Sequence, residues 1–154
     1  MFLRELTPAE CTAVLSAARV GRLGCVHDDR PYVVPIYFAF ADHHLYSFSM
    51  EGRKVAWMRQ NPQVCLQVDT MHDGREWRSV VAYGCYEELP DDARWHLERK
   101  KAWQLLQRQA NWWEPGVLYP VQRTNGDQAG YLYYRIRIES LTGREAVDES
   151  EAAG

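Results

Sequence analysis

Residues Ser47–Val68 read S-F-S-M-E-G-R-K-V-A-W-M-R-Q-N-P-Q-V-C-L-Q-V. An extended segment, His44 to Phe48, runs into the hydroxyls Ser47 and Ser49. Gly52 and the adjacent cations Arg53 and Lys54 follow, then a short helical pattern that stops at Asn61-Pro62, where a new strand begins. Hydroxyls, a glycine, two cations and a helix N-terminus together suit a small anion. Free backbone N–H groups and the helix dipole both favour negative charge there. Phosphate fits best, because arginine grips it in a bidentate fork and lysine adds a point charge. Taken alone, the same residues also read as a solvated turn with ordinary surface cations.

On the N-terminal side, Thr7-Pro8-Ala9-Glu10 is a helix start with the pattern of a capping box. Cys11, Val14, Leu15 and Ala18 give that helix one apolar face. Gly21 is expected to stop it, and a strand follows through Leu23, Cys25 and Val26. His27-Asp28-Asp29-Arg30 is turn chemistry. Tyr32 to Phe40 reads as one strand, and Ala41-Asp42-His43 turns the chain into the next.

On the C-terminal side, a strand is expected over Val64 to Asp69, a polar loop over Thr70 to Arg75, and a long strand over Trp77 to Glu87, with Gly84 marking a bulge. Pro90-Asp91-Asp92 opens a helix to about Gln109. Asn111 to Gln128 is a loop rich in Trp, Pro and Gly. Tyr131 to Glu139 alternates as the last strand: Tyr131, Tyr133, Arg135 and Arg137 share one face, and Leu132, Tyr134, Ile136 and Ile138 the other. Strands at this spacing with few helices make a mainly β (α+β) fold, a barrel or a sandwich. Residues 1–144 read as a single domain, and residues 145–154 as an acidic, flexible tail.

The 154 residues suffice for one real core, and 46% apolar with 25% charged residues is globular composition. A net charge of −3 argues against a general nucleic-acid binder. No stretch is apolar enough to cross a membrane as a helix. Cys11, Cys25, Cys65 and Cys85 form no CxxC pair and no zinc spacing, so they read as reduced packing residues that hold no metal, in keeping with a cytoplasmic protein.

Several segments, taken in order, resemble the FMN-binding split β-barrel proteins related to pyridoxamine 5′-phosphate oxidase, in the branch of the nitroimidazole-resistance proteins. They are G-R-L-G-C-V (Gly21–Val26), R-P-Y-V-V-P-I-Y-F (Arg30–Phe38), Y-S-F-S-M-E-G-R-K (Tyr46–Lys54), W-R-S-V-V-A-Y-G (Trp77–Gly84) and Y-R-I-R-I-E-S-L-T-G-R (Tyr134–Arg144). The resemblance implies a split barrel of about six or seven antiparallel strands with flanking helices. It implies that backbone groups of Val33, Val34, Pro35 and Ile36 line the flavin ring. Ser49, Arg53 and Lys54 would hold the FMN phosphate, and Ser79 would reach the ring across a subunit interface. The implied protein is a homodimeric, flavin-dependent oxidoreductase. It would pass electrons from a reduced donor such as NAD(P)H to a small organic acceptor. The rival reading is a non-enzymatic flavin- or haem-binding sensor of the same fold.

Two positions depart from the family's named activities. The segment Tyr134 to Arg144 lacks the arginine/histidine grip on a substrate phosphate, and Phe48 stands where nitroimidazole-resistance members carry histidine. The sequence identifies no catalytic side chain. His72 reads as a solvated loop residue, or as a proton donor or haem ligand. His43-His44 reads as a structural turn pair. Trp112-Trp113 covers a ligand by stacking or plugs a barrel end or dimer contact. Trp95, Trp103, Leu105 and Leu106 read as core or interface residues.

Overall fold

The computed structural model describes residues 1–108 and 131–148. Its elements are β1 (Phe2–Glu5), α1 (Pro8–Ala17), β2 (Val20–His27), β3 (Arg30–Tyr37), β4 (Ala39–Ala41), β5 (His44–Met50), α2 (Arg53–Gln60), β6 (Gln63–His72), β7 (Glu76–Leu89), α3 (His96–Arg108) and β8 (Tyr131–Val147). The strands form one antiparallel sheet in the order β3-β2-β6-β7-β8-β5-β4, and β1 pairs with β8. This is a split β-barrel with flanking helices. The sheet curls until the end of β3 meets β5, where Ser47 Oγ donates to the Tyr37 carbonyl at 2.5 Å.

Side-chain alternation sorts the strands into two faces. Leu23, Cys25, Ile36, Leu45, Leu66, Val68, Val80, Ala82, Tyr134 and Ile136 point inward and are almost fully buried. Val33, Met71 and Tyr83 point outward and are 65%, 65% and 49% exposed. On the side of β5 away from the barrel, α3 packs Ala102 with Tyr46 and Leu89 in one cluster. Trp95 and Leu105 lie against that second cluster, as expected for core rather than cofactor contacts.

The capping box of α1 is present: Glu10 N–H donates to Thr7 Oγ1 at 3.3 Å, and Thr7 N–H donates to Glu10 Oε2 at 2.7 Å. The Arg53–Gln60 helix matches its expected bounds. Val55 and Met58, both 0% exposed, anchor it to the core. Each such side chain contributes about 1.5–3 kcal/mol of burial. The bulge at Gly84 is present as a register shift between Tyr83 and Gly84, and a Cβ there would lie 2.4 Å from the Arg137 carbonyl oxygen.

Other boundaries need correction. Gly21 does not stop α1, which ends at Ala17; it sits in β2, where a Cβ would press on Leu66 at 2.9 Å. The Tyr32–Phe40 strand is broken at Phe38, whose N–H donates to the Arg19 carbonyl at 3.0 Å. β6 continues through the expected Thr70–Arg75 loop to His72, pairing there with Glu76. The turn is made by Asp73 and Gly74, both at positive φ. The third helix starts at His96, after a turn, rather than at Pro90. β8 runs through Val147, so residues 145–147 are strand and not tail. Glu145 is buried there, salt-bridged to Arg4 at 2.7 Å and to Arg78 at 2.6 Å. The Asn111–Gln128 loop, with Trp112 and Trp113, lies outside the described residues.

Candidate functional site

The start of α2 has no side-chain cap and carries two adjacent cations, Arg53 and Lys54. Gly52 is its N-cap and supplies no side-chain cap, so the first N–H groups of the helix keep no side-chain partner. Lys54 lies in the first turn and is partly buried. Burial pushes its ammonium below the usual lysine range. Among the described residues it makes no hydrogen bond or ion pair. The nearest carboxylate in sequence, Glu51, is turned away: both its oxygens accept from Arg59, at 2.8 and 2.9 Å. A desolvated cation at an uncapped helix start, with the local acid neutralised elsewhere, calls for an anionic ligand.

Arg53 is exposed, its guanidinium 5.6 Å from the centre of the Tyr32 ring. Tyr32 meets Trp57 edge-on at 5.6 Å, and Trp57 meets His27 at the same separation. Arg53 is thereby brought beside β3, the strand expected to line a flat ligand. Ser49 is buried on the inner face of β5, and its hydroxyl donates to the Met50 carbonyl at 2.8 Å. Its oxygen remains available only as an acceptor until that bond is broken.

Among the described residues β3 forms a strand ladder with β2 alone, so the other edge of its Val33–Ile36 stretch faces no further strand. Val33 and Pro35 face outward from it, while Val34 and Ile36 face the core. A ligand along this edge therefore meets backbone groups and the Val33 and Pro35 side chains.

Ser79 is not beside these residues. It lies on the outer face of β7, opposite Arg144 near the end of β8, whereas Ser49 lies on the inner face, opposite Leu132 near its start. Ser79 borders a separate cavity of about 470 Å³, lined also by Leu6, Trp77, Val81, Leu141 and Arg144. Gln67 Nε2 donates to Ser79 Oγ at 3.1 Å, and Arg22 binds Asp69 at 2.6 Å beside it. Sequence reasoning missed Gln67, Asp69, Arg22 and Arg144. Their alternation was legible, but which strands stand side by side was not.

His72 is exposed at the end of β6. His44 Nδ1 sits 2.7 Å from the Asp42 carbonyl, and His43 holds a positive φ of 58° in the turn. All four cysteines are unpaired. Among the described residues no group of three or more His, Cys, Asp or Glu could hold a metal, and no helix is long and apolar enough to cross a membrane.

The signature of the pyridoxamine 5′-phosphate oxidase family matches residues 7–145. The chain belongs to that family. An uncharacterised protein of Rhizobium meliloti (strain 1021) is 43% identical over 146 residues, covering 95% of this chain and 97% of that protein. A solved FAD-binding protein from Mesorhizobium loti is 50% identical with a TM-score of 0.80, covering 96% of this chain and 100% of the other. A candidate 5-nitroimidazole antibiotic resistance protein from Bacteroides thetaiotaomicron shares the fold at 16% identity, with a TM-score of 0.70 and coverage of 94% and 89%. Within this pyridoxamine 5′-phosphate oxidase family member, the uncapped α2 start, the β3 edge and the Ser79 cavity are three candidate ligand surfaces among the described residues.

Proposed function

We propose that the protein binds a flavin nucleotide, with a phosphate held by Lys54, Arg53 and the first N–H groups of α2. The observation that carries this reading is Lys54, a partly buried ammonium with no anionic partner among the described residues. Ser49 would contribute once its hydroxyl leaves the Met50 carbonyl. Val33, Val34, Pro35 and Ile36 would line the ring along the open edge of β3, and Ser79 would meet it from a second copy of the chain. FMN carries the minimal group these contacts need. FAD is the second reading, favoured by the relative at 50% identity that is described as FAD-binding.

The bound flavin would supply the redox chemistry, making the protein an oxidoreductase that moves electrons from a reduced donor such as NAD(P)H to a small organic acceptor. The chain's own part is to neutralise the phosphate, orient the ring against β3 and exclude water from one face of it. The free thiols suit a reducing, cytoplasmic setting. The outward apolar residues Val33, Met71 and Tyr83 support a homodimer built on that face.

The test is to identify the flavin released from purified protein by mass spectrometry and to titrate it back. Lys54→Ala and Arg53→Ala should each weaken binding by about 1.5–3 kcal/mol, the worth of a charge-assisted contact. Undiminished affinity in both variants refutes the site. Stopped-flow mixing with NADH or NADPH then separates an enzyme from a passive binder: flavin bleaching is the expected result.

A further inference from the structure

The outer face of β2, β6 and β7 carries a hydrogen-bond chain that flavin binding alone leaves unexplained. Arg22 Nη1 donates to Asp69 Oδ1 at 2.6 Å. The same oxygen accepts from Gln67 Nε2 at 3.1 Å, and that nitrogen also donates to Ser79 Oγ at 3.1 Å. An amide nitrogen has two hydrogens, and both are committed here. The salt bridge fixes Asp69, Asp69 fixes which way the Gln67 amide faces, and Gln67 occupies Ser79 as an acceptor. The Ser79 O–H then has no acceptor among the described residues.

Ser79 borders the cavity shared with Trp77, Leu141 and Arg144. Arg144 has no ion pair or hydrogen bond among the described residues, although Glu5 is its cross-strand neighbour and lines the same cavity. A hydroxyl proton and an unpaired guanidinium therefore border one space. Two donors, one of them cationic, favour a group that accepts hydrogen bonds and gains negative charge.

We infer that Arg22, Asp69 and Gln67 fix Ser79 as a hydrogen-bond donor into this cavity. The cavity takes an acceptor-only group, a carbonyl or unprotonated ring nitrogen, on which negative charge grows, as on the pyrimidine edge of a flavin when it is reduced. This rests on the flavin reading above and adds to it the direction of the hydrogen bond and its electrochemical consequence. Ser79 contacts the ligand, and Gln67 is a positioning residue acting through it. A donor at that edge stabilises the reduced form more than the oxidised form and so raises the midpoint potential.

The experiment is spectroelectrochemical titration of the protein loaded with the flavin it retains on purification. Ser79→Ala should lower the midpoint potential, with about a tenfold change in the reduction equilibrium, or about 30 mV for a two-electron couple. Ser79→Thr, which keeps the hydroxyl, should restore it. Gln67→Met should lower it in the wild-type background and leave it unchanged in the Ser79→Ala background, because Gln67 acts only through Ser79. Flavin-loaded Ser79→Ala with the wild-type potential overturns the inference. So does a Gln67→Met shift that persists undiminished without the Ser79 hydroxyl. Failure of the wild type to hold any flavin overturns the flavin reading itself, and undiminished binding in both Lys54→Ala and Arg53→Ala refutes its phosphate site.

Discussion

In the proposed role, Lys54 would serve a ligand at the expense of the empty fold. Its charge is desolvated and unpaired among the described residues, so its pKa falls on folding. For a base lowered in this way the penalty is present while the folded group is protonated, and it is relieved as pH rises through the folded pKa. Lys54→Met should therefore raise the melting temperature of the flavin-free protein at neutral pH while weakening flavin binding at least tenfold. A drop in apo melting temperature would show that Lys54 is paired in the empty protein. Phe48 is the second residue-scale test. It lies on the outward side of β5, 6.1 Å from the Tyr131 ring, and cannot exchange a proton. Wild-type turnover of nitroimidazoles should accordingly be poor, and Phe48→His should raise it in steady-state assays. An unchanged rate would remove any acid–base role from that position. The Arg53–Lys54 cluster was legible in sequence because its chemistry is local. The Gln67–Ser79 bond was not, because it depends on β6 and β7 being neighbours in a fixed register.

At the scale of elements, local signals carried far and distant pairing did not. The bounds of α2 followed from Gly52 and Asn61-Pro62, the α1 start from its capping box, and the kink in β7 from Gly84. β1 and the second half of β8 were missed: F-L-R-E and S-L-T-G-R-E-A-V alternate weakly, and they become strands by pairing across nearly the whole chain. An ion-pair clamp holds that junction. Arg4 bonds Glu10 at 2.9 Å and Glu145 at 2.7 Å, and Arg78 bonds Glu145 at 2.6 Å. Arg4 is the largest cause holding the Glu10 carboxyl down at about 2, and it also holds Glu145 below the usual range. Carboxylates depressed in this way contribute stability above their unfolded pKa, near 4.5, and lose it as pH falls through the folded value. Thermal melts from pH 5 to 2 should show a steep loss. Glu145→Gln should flatten part of it and cost about 1–2 kcal/mol at pH 7, at the low end for charged hydrogen bonds because both arginines are half-exposed. A variant with the wild-type acid profile would show that the clamp contributes nothing to the junction.

For the whole molecule, the site residues expected to share one flavin do not meet within one chain. Lys54 and Ser49 belong to the open end of the barrel beside the start of β8, and Ser79 to the outer sheet face beside its end. If both groups touch the same flavin, the second set must come from another copy. That copy's natural seat is the outer face on which Val33, Met71 and Tyr83 stand exposed around the polar Arg22–Asp69–Gln67–Ser79 chain. A two-fold dimer built there would hold two equivalent sites, each with Lys54 from one protomer and Ser79 from its partner. Light scattering should accordingly give a flavin-loaded dimer at micromolar concentration, and Tyr83→Arg should shift it toward monomer while weakening flavin binding. Mixed dimers make the sharper measurement. When Lys54→Ala and Ser79→Ala chains are combined, one site of each heterodimer carries both substitutions and the other carries neither. Half of the heterodimer sites should regain wild-type flavin affinity and wild-type potential, a recovery neither homodimer shows. If each site is built within one chain, the mixture can only reproduce the sum of the two defects, and the shared-site arrangement fails.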